Sequence, residues 1–379
     1  MEQEQRRYWL ALRTINGLGI HGLRTLIAAF GTPQRVFSAS LDTLCSIPGI
    51  GKIIARRIVA FNDWAALEEE LAYYDREKIS LLSWQDAFYP SLLPHIYDPP
   101  ALLFTKGVLQ EDEKCIAVVG SRLATVYGTF ITEKLCRELA VQGITVVSGM
   151  ARGIDSAAHR GALAGLGRTI AVLGNGPDII YPPENSTLCR RILERGALLT
   201  EYPAKTPPHQ SHFPARNRII SGMSLGVLVV EAGERSGSLI TAKFALEQNR
   251  EVFAIPGAID APGSKGPHKL LKEGAILVET IDDILDVIAP HLDRISDYPS
   301  VSQEMPEKTG KILQTEAPRP ELTGDEKALW SQLRGSPKEV DELIGSTGLA
   351  CQTVQRLLTM LEVKGYIQKM PGSKYKLRE

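Results

Sequence analysis

The chain has 379 residues, 44% of them apolar, which is ample for a core but more than one core usually supports, so two or three domains are expected. A formal net charge of −1 excludes a bulk polycation, and any nucleic-acid partner must therefore be held by a local patch. The five cysteines (Cys45, Cys115, Cys136, Cys189, Cys351) form no CxxC, which argues against a disulfide frame or a thiolate zinc site and fits a reducing cytoplasm.

The opening residues, MEQEQRRYWL, lack the apolar stretch of a signal peptide. No apolar run approaches the roughly 18 to 20 residues that span a bilayer, so a cytoplasmic protein without a membrane partner is expected. Residues 1–75 read as short helices containing a repeat with a spacing of 32. Leu12, Ile15 and Gly17-Leu18-Gly19 fall in register with Leu44, Ile47 and Gly49-Ile50-Gly51, and Leu26 with Ile58. A Gly-apolar-Gly turn between helices resembles the helix-hairpin-helix unit, here in tandem and related to a SAM-like helical domain. Its glycines leave free amides at a helix start, where a phosphate can sit. A small bundle that packs against other protein is the equal alternative. Gly17-Leu18-Gly19-Ile20-His21-Gly22 matches GxGxxG, but no strand precedes it, so the dinucleotide reading is rejected.

Within a core expected over 76–290, residues from about 112 to 290 alternate strand and helix. The strands are expected at Ile116–Gly120, Ile144–Val147, Thr169–Leu173, Leu198–Glu201, Gly226–Glu231, Val252–Ile255 and Ala275–Val278, and all are almost wholly apolar. Helical stretches at Tyr127–Gln142, Ile154–Ala164, Asn185–Glu194 and Leu239–Gln248 lie between them. The fold class is α/β, an extended Rossmann-like, doubly wound, mostly parallel sheet. Residues 291–322 are polar and rich in Pro, Ser and Glu, and read as a flexible linker. Residues 323–379 hold helices expected at Asp325–Leu333, Pro337–Ile344 and Ala350–Lys364, then a hairpin about Pro371-Gly372, the pattern of a winged helix.

Ligands of such sheets bind beyond the carboxyl ends of the strands. There the sequence places Gly120-Ser121-Arg122, the run Ser148 to Asp155 with Gly149, Arg152 and Gly153, the segment Phe213 to Arg218 with Arg216 and Asn217, and Arg235 with Ser236-Gly237-Ser238. Glycines admit a ligand to the backbone, helix starts favour anions, and several arginines suit a chain of phosphates better than one nucleotide. Phe213 is a base-stacking candidate if its ring is exposed, with burial the equal alternative. Catalytic signals are weaker. No GxxxxGK[ST] is present, and Asp155 and His159, four apart on one helix, have no nucleophile assigned to them. His209 and His212 lack a clear third metal ligand. No catalytic residue, metal or cofactor is expected.

The motifs GSR (120–122), SGMARGIDSAAHRGAL (148–163), AVLGNGPDIIYPPEN (171–185), FPARNRIISGMS (213–224) and RSGSLITAKFALEQNREVFAIPG (235–257) together resemble the DprA/Smf family of bacterial DNA-processing proteins. The resemblance implies a non-enzymatic, homodimeric binder of single-stranded DNA that protects incoming strands and helps load the recombinase RecA in natural transformation. It implies phosphate contacts at Gly120, Ser121 and Arg122, and a second loop shaped by Ser148, Gly149, Arg152, Gly153 and Asp155. Phe213, Arg216, Asn217 and Arg218 would supply a basic segment, and Ser236, Gly237 and Ser238 a further anion site. Two residues depart from the pattern: Asn249 stands at a helix end where Gly is usual, and His268 where Asn is commoner. Two other readings stay open. One is a nucleotide-cleaving glycoside hydrolase of the lysine-decarboxylase-like type, with Glu231 or Glu201 as catalyst but AGERSGSL in place of its PGGxGT loop. The other is a protein-binding adaptor.

Overall fold

The computed structural model describes residues 3–292 and, in the C-terminal part, residues 329, 332–333, 338–347, 349, 351–363, 367–370 and 374–377. It divides into two compact units, Met1–Met305 and Pro306–Glu379.

Six short helices open the first unit: α1 (Gln3–Thr14), α2 (Ile20–Phe30), α3 (Pro33–Ser38), α4 (Leu41–Cys45), α5 (Lys52–Val59) and α6 (Trp64–Arg76). The 32-residue repeat is a repeat of conformation. Gly17 and Gly49 hold φ of 81° and 82°, a left-handed turn that favours glycine, and Gly19 and Gly51 precede α2 and α5. Leu26 and its counterpart Ile58 are both in the core.

The sheet follows, with strands β1 (Ser80–Ser83), β2 (Leu102–Gly107), β3 (Cys115–Val119), β4 (Thr145–Ser148), β5 (Thr169–Val172), β6 (Ala197–Thr200), β7 (Gly226–Val229), β8 (Glu251–Ala254) and β9 (Ile276–Leu277). Between and after them run α7 (Val126–Val141), α8 (Ile154–Ala164), α9 (Ser186–Arg195), α10 (His212–Gly222), α11 (Gly237–Glu247), α12 (Lys265–Lys272) and α13 (Asp282–Leu292). Sheet order is β1-β2-β6-β5-β4-β3-β7-β8-β9. The run from β6 to β9 is parallel, and β1 and β2 add an antiparallel edge. All seven expected strands form. β1 and β2 were not anticipated, nor were α10, α12 and α13. The helical segment packs against this added edge, Trp9 edge-on to Trp84 and Tyr74 against Phe104. Asn249 adopts φ 55°, the left-handed helix end expected of it, and His268 Nε2 lies 3.0 Å from the Gly257 carbonyl oxygen.

The chain returns from β6 to β7 across β3, so the winding direction reverses between β3 and β7. Their carboxyl ends diverge there and leave a crevice.

In the second unit, β10 (Lys338–Glu339), β11 (Ile367–Met370) and β12 (Lys374–Leu377) form an antiparallel sheet beside α14 (Val340–Thr347) and α15 (Cys351–Val363), a winged-helix arrangement. Leu343, Val354, Leu357, Leu361 and Ile367 fill its core. The expected helix Asp325–Leu333 and linker 291–322 lie largely outside the described residues. No described helix is long and apolar enough to cross a membrane.

Phe253 is fully buried beneath Gly226, with Ile116, Ile284 and Ile288 in the same cluster. Phe253→Ala is expected to destabilise the first unit by about 3 to 5 kcal/mol, read as a lowered urea midpoint.

Candidate functional site

The crevice between β3 and β7 opens into a cavity of about 790 Å³. Gly120, Ser121, Arg122, Asp155, Phe213, Arg216, Asn217, Ser236, Gly237 and Ser238, segments far apart in sequence, all line it. A smaller recess of about 50 Å³ adjoins it, bounded by Gly149, Arg152, Gly174, Asn175, Tyr181 and Phe213.

Arg216 forms the floor. It is 5% exposed, and a β-carbon on Gly149 would overlap its guanidinium, so glycine at that position admits the side chain. Its Nε has no hydrogen-bond partner, nor does the buried hydroxyl of Thr241 on the cavity wall. Burial lowers the basicity of Arg216, Asp155 opposes that, and Arg122 adds like-charge repulsion. Asp155 is itself buried. Burial raises its carboxyl above the ordinary value, opposed first by the Arg216 charge and then by hydrogen bonds, among them one from the Ala151 amide.

Two loops build this floor together. Gly153 takes φ 71° at the start of α8, where a side chain would strike Ser121 and Arg122, and the Ile154 amide donates to the Ser121 carbonyl. Met150 takes φ 57°, unfavourable for a non-glycine residue, and Asn185 Nδ2 holds its carbonyl at 2.8 Å. Ser148 does not face the cavity; its hydroxyl donates to the Val118 carbonyl and ties β4 to β3. At the start of α11, Ser236 accepts from the Ser238 amide, and Asn217 Nδ2 donates to the Gly237 carbonyl.

The expected basic segment of Phe213, Arg216, Asn217 and Arg218 lies in the first half of α10, and the helical period divides it. Phe213, Arg216 and Asn217 share the cavity side. Arg218 turns away and is removed from the anion set, because its Nη1 and Nη2 donate to Glu201 at 2.9 and 2.7 Å. Arg152 is exposed and paired with Glu184. Phe213 is half-buried and stacked on Tyr181, with the Arg122 guanidinium 5.6 Å from its ring centroid. Tyr181 and Thr241 were missed. The YPP run within 171–185 was the available signal for the first, and the helical period after Gly237 for the second.

The two carboxylates of the hydrolase reading are engaged elsewhere. Glu201 holds Arg218, and Glu231 accepts from the Thr125 amide and hydroxyl ahead of α7. His159 and Asp155 do not pair: the imidazole meets Thr169 Oγ1 at 2.6 Å, and burial pushes its pKa down to about 3. His212 stacks on Tyr202, and no described group of three or more His, Cys, Asp or Glu is placed to hold a metal.

A doubly wound sheet with a crevice lined by arginines at its switch point, preceded by paired helical hairpins and followed by a winged helix, defines a multidomain Rossmann-like protein. The chain belongs to the DNA recombination-mediator protein A family, the DprA/Smf proteins, whose family model matches residues 80–289. A SAM-like helix-hairpin-helix tandem matches residues 10–61, and the DprA winged helix domain matches residues 314–373. The chain is 42% identical to protein Smf of Escherichia coli over 86% of its own length and 84% of that protein's. It is 44% identical to DNA processing protein DprA of Bacillus subtilis over 58% of its length and 75% of that protein's. The solved structure of DprA from Streptococcus pneumoniae superposes with a TM-score of 0.64 at 38% identity, covering 74% of this chain and 97% of that one. A structure of DNA processing protein A from Helicobacter pylori, described for its single-stranded DNA binding mode, superposes at 0.51 with 29% identity, covering 59% and 98%.

Arg216 is the largest influence holding the Asp155 carboxyl down. Arg216→Met is therefore expected to destabilise the protein by about 3 kcal/mol at neutral pH, leaving a buried carboxylate uncompensated. The sign follows from the raised carboxyl. Ionised Asp155 costs stability only once pH rises above its unfolded pKa of about 3.9, and the full cost is reached above its folded value. The deficit of Arg216→Met relative to the native protein should thus narrow from pH 7 toward about pH 5, and adding Asp155→Asn should remove that pH dependence. Urea unfolding of the three proteins at both pH values checks it.

Proposed function

We propose that the cleft binds single-stranded DNA for processing in transformation or recombination. The observation that carries this is the buried Arg216, with its unpartnered Nε, facing an open cavity. A cation kept almost out of water, balanced by the Asp155 charge but with no hydrogen-bond partner at Nε, favours an anionic ligand on its open side. Arg122 and the Gly237 backbone at the start of α11 extend that anion site, and the Phe213–Tyr181 pair offers an aromatic surface for a base. Several anion positions beside an aromatic pair suit a strand better than a single nucleotide. The structure from H. pylori concerns a relative that binds single-stranded DNA, which supports the same reading.

Family resemblance further supports a cytoplasmic homodimer that protects single strands and helps load RecA, without a catalytic step of its own. The proposed organisation is a helical domain at 1–75, the binding core at 76–290, a linker at 291–322 and a winged helix at 323–379.

Affinity for an oligonucleotide should fall with salt at a log–log slope near −0.7 per phosphate contact. Arg122→Ala should make that slope shallower by about 0.7 and weaken all base sequences alike. Phe213→Ala should cost about 1 to 3 kcal/mol of affinity and leave the slope unchanged. Arg218→Ala should lower the melting temperature and leave the slope as it was. An unchanged slope in a folded Arg122→Ala protein counts against the cleft.

Deleting residues 323–379 is expected to leave single-strand affinity within a few-fold of the full chain, since the core makes the principal contacts. Abolished binding in a truncated protein with native circular dichroism would place the main site elsewhere.

A further inference from the structure

The outward face of α7 is unusual for a helix laid on a sheet. Its inner side is conventional: Thr132, Leu135, Cys136 and Leu139 are all buried. The outer side bears Val126, 90% exposed, Tyr127, 57%, and Phe130, 64%, preceded by Leu123 at 90%. Further along the same face come Lys134 and Arg137, also exposed. At 3.6 residues per turn, Val126, Tyr127, Phe130, Lys134 and Arg137 fall within roughly a 100° arc. That arc holds no carboxylate. Glu133, on one flank, is tied to Arg160 at 2.7 Å, and Glu138 lies on the other. Among the described residues neither Lys134 nor Arg137 has a carboxylate within ion-pair distance.

The stripe is continuous with the cleft. Leu123 follows Arg122 directly, and both line the 790 Å³ cavity. Large apolar side chains left in water are costly unless something covers them. Here they are followed on the same face by two cations, Lys134 and Arg137, with no carboxylate at ion-pair distance. That combination matches a single strand, whose bases offer flat faces to aromatic rings and whose phosphates seek cations.

We propose that this face of α7 carries the single strand onward from the cleft, with bases laid on Tyr127 and Phe130 and phosphates on Lys134 and Arg137. The proposal rests on the cleft being a single-strand site. From Tyr127 to Arg137 the track adds about 15 Å at 1.5 Å per residue.

The test uses the full-length protein with two oligothymidylates, one of about six nucleotides, enough to fill the cleft, and one of about 20. Tyr127→Ala/Phe130→Ala should bind the short oligomer as the native protein does and the long one at least tenfold more weakly. Lys134→Gln/Arg137→Gln should make the salt slope for the long oligomer alone shallower by about 1.4, two contacts at roughly 0.7 each. All four side chains are exposed, and circular dichroism confirms that the variants fold. Unchanged affinity of the aromatic variant for the long oligomer, while Arg122→Ala weakens both lengths, overturns the track and leaves the cleft standing. If Arg122→Ala affects neither length but the aromatic variant loses the long oligomer, α7 binds the strand and the cleft reading fails. If the aromatic variant instead changes the oligomeric state by light scattering and keeps its affinity for the long oligomer, the face is a contact between copies and the proposal is overturned.

Discussion

The Arg216 guanidinium is held almost wholly out of water at the point where the sheet reverses its winding, and much of the surrounding architecture exists to keep it there. Gly149 makes room for the group, and Asp155 supplies a compensating charge that is itself buried. The loop carrying Asp155 is locked against the loop after β3 by the approach of Gly153 to Ser121 and by the bond from Ile154 to the Ser121 carbonyl. A buried cation of this kind is unfavourable in isolation. It persists because Asp155 favours its charge, and the loops that bury it leave one side open to the cavity.

A chain of net charge −1 builds a cationic cleft by sorting its arginines rather than accumulating them. Arg152, Arg160, Arg168 and Arg218 are each paired with a glutamate. Arg122 and Arg216 line the cavity, and Arg122 leans over the Phe213 ring. The field that a polyanion meets is therefore local.

The added antiparallel edge has a structural part in this. Strands β1 and β2 extend the parallel sheet beyond β6 and give the helical segment a surface to pack on, through Trp9, Trp84, Tyr74 and Phe104. Those contacts bury the rings of all four residues or nearly so. The crevice between β3 and β7 lies at the carboxyl ends of the central strands.

Much was legible in the chain itself. Short apolar runs separated by helical stretches specified the parallel sheet, because a strand covered on both faces needs apolar side chains along its whole length. The 32-residue repeat specified the paired hairpins, since only glycine easily takes the left-handed turn at Gly17 and Gly49. The same reasoning located the loops at the strand ends and most of the cavity lining. It misassigned Arg218, because a run of basic residues looks alike as a loop or a helix, and only the helical twist of α10 turns Arg216 inward and Arg218 toward Glu201. It missed Tyr181, which is remote in sequence from the Phe213 ring it stacks on, and Thr241, one helical turn beyond Ser238 on α11. It did not see that the outer stripe of α7 is uncovered, since an apolar period shows that a face seeks a partner without showing whether the fold supplies one. Local chemistry determined the elements and their ends; the pairing of charges and the exposure of faces were decided only when distant segments met.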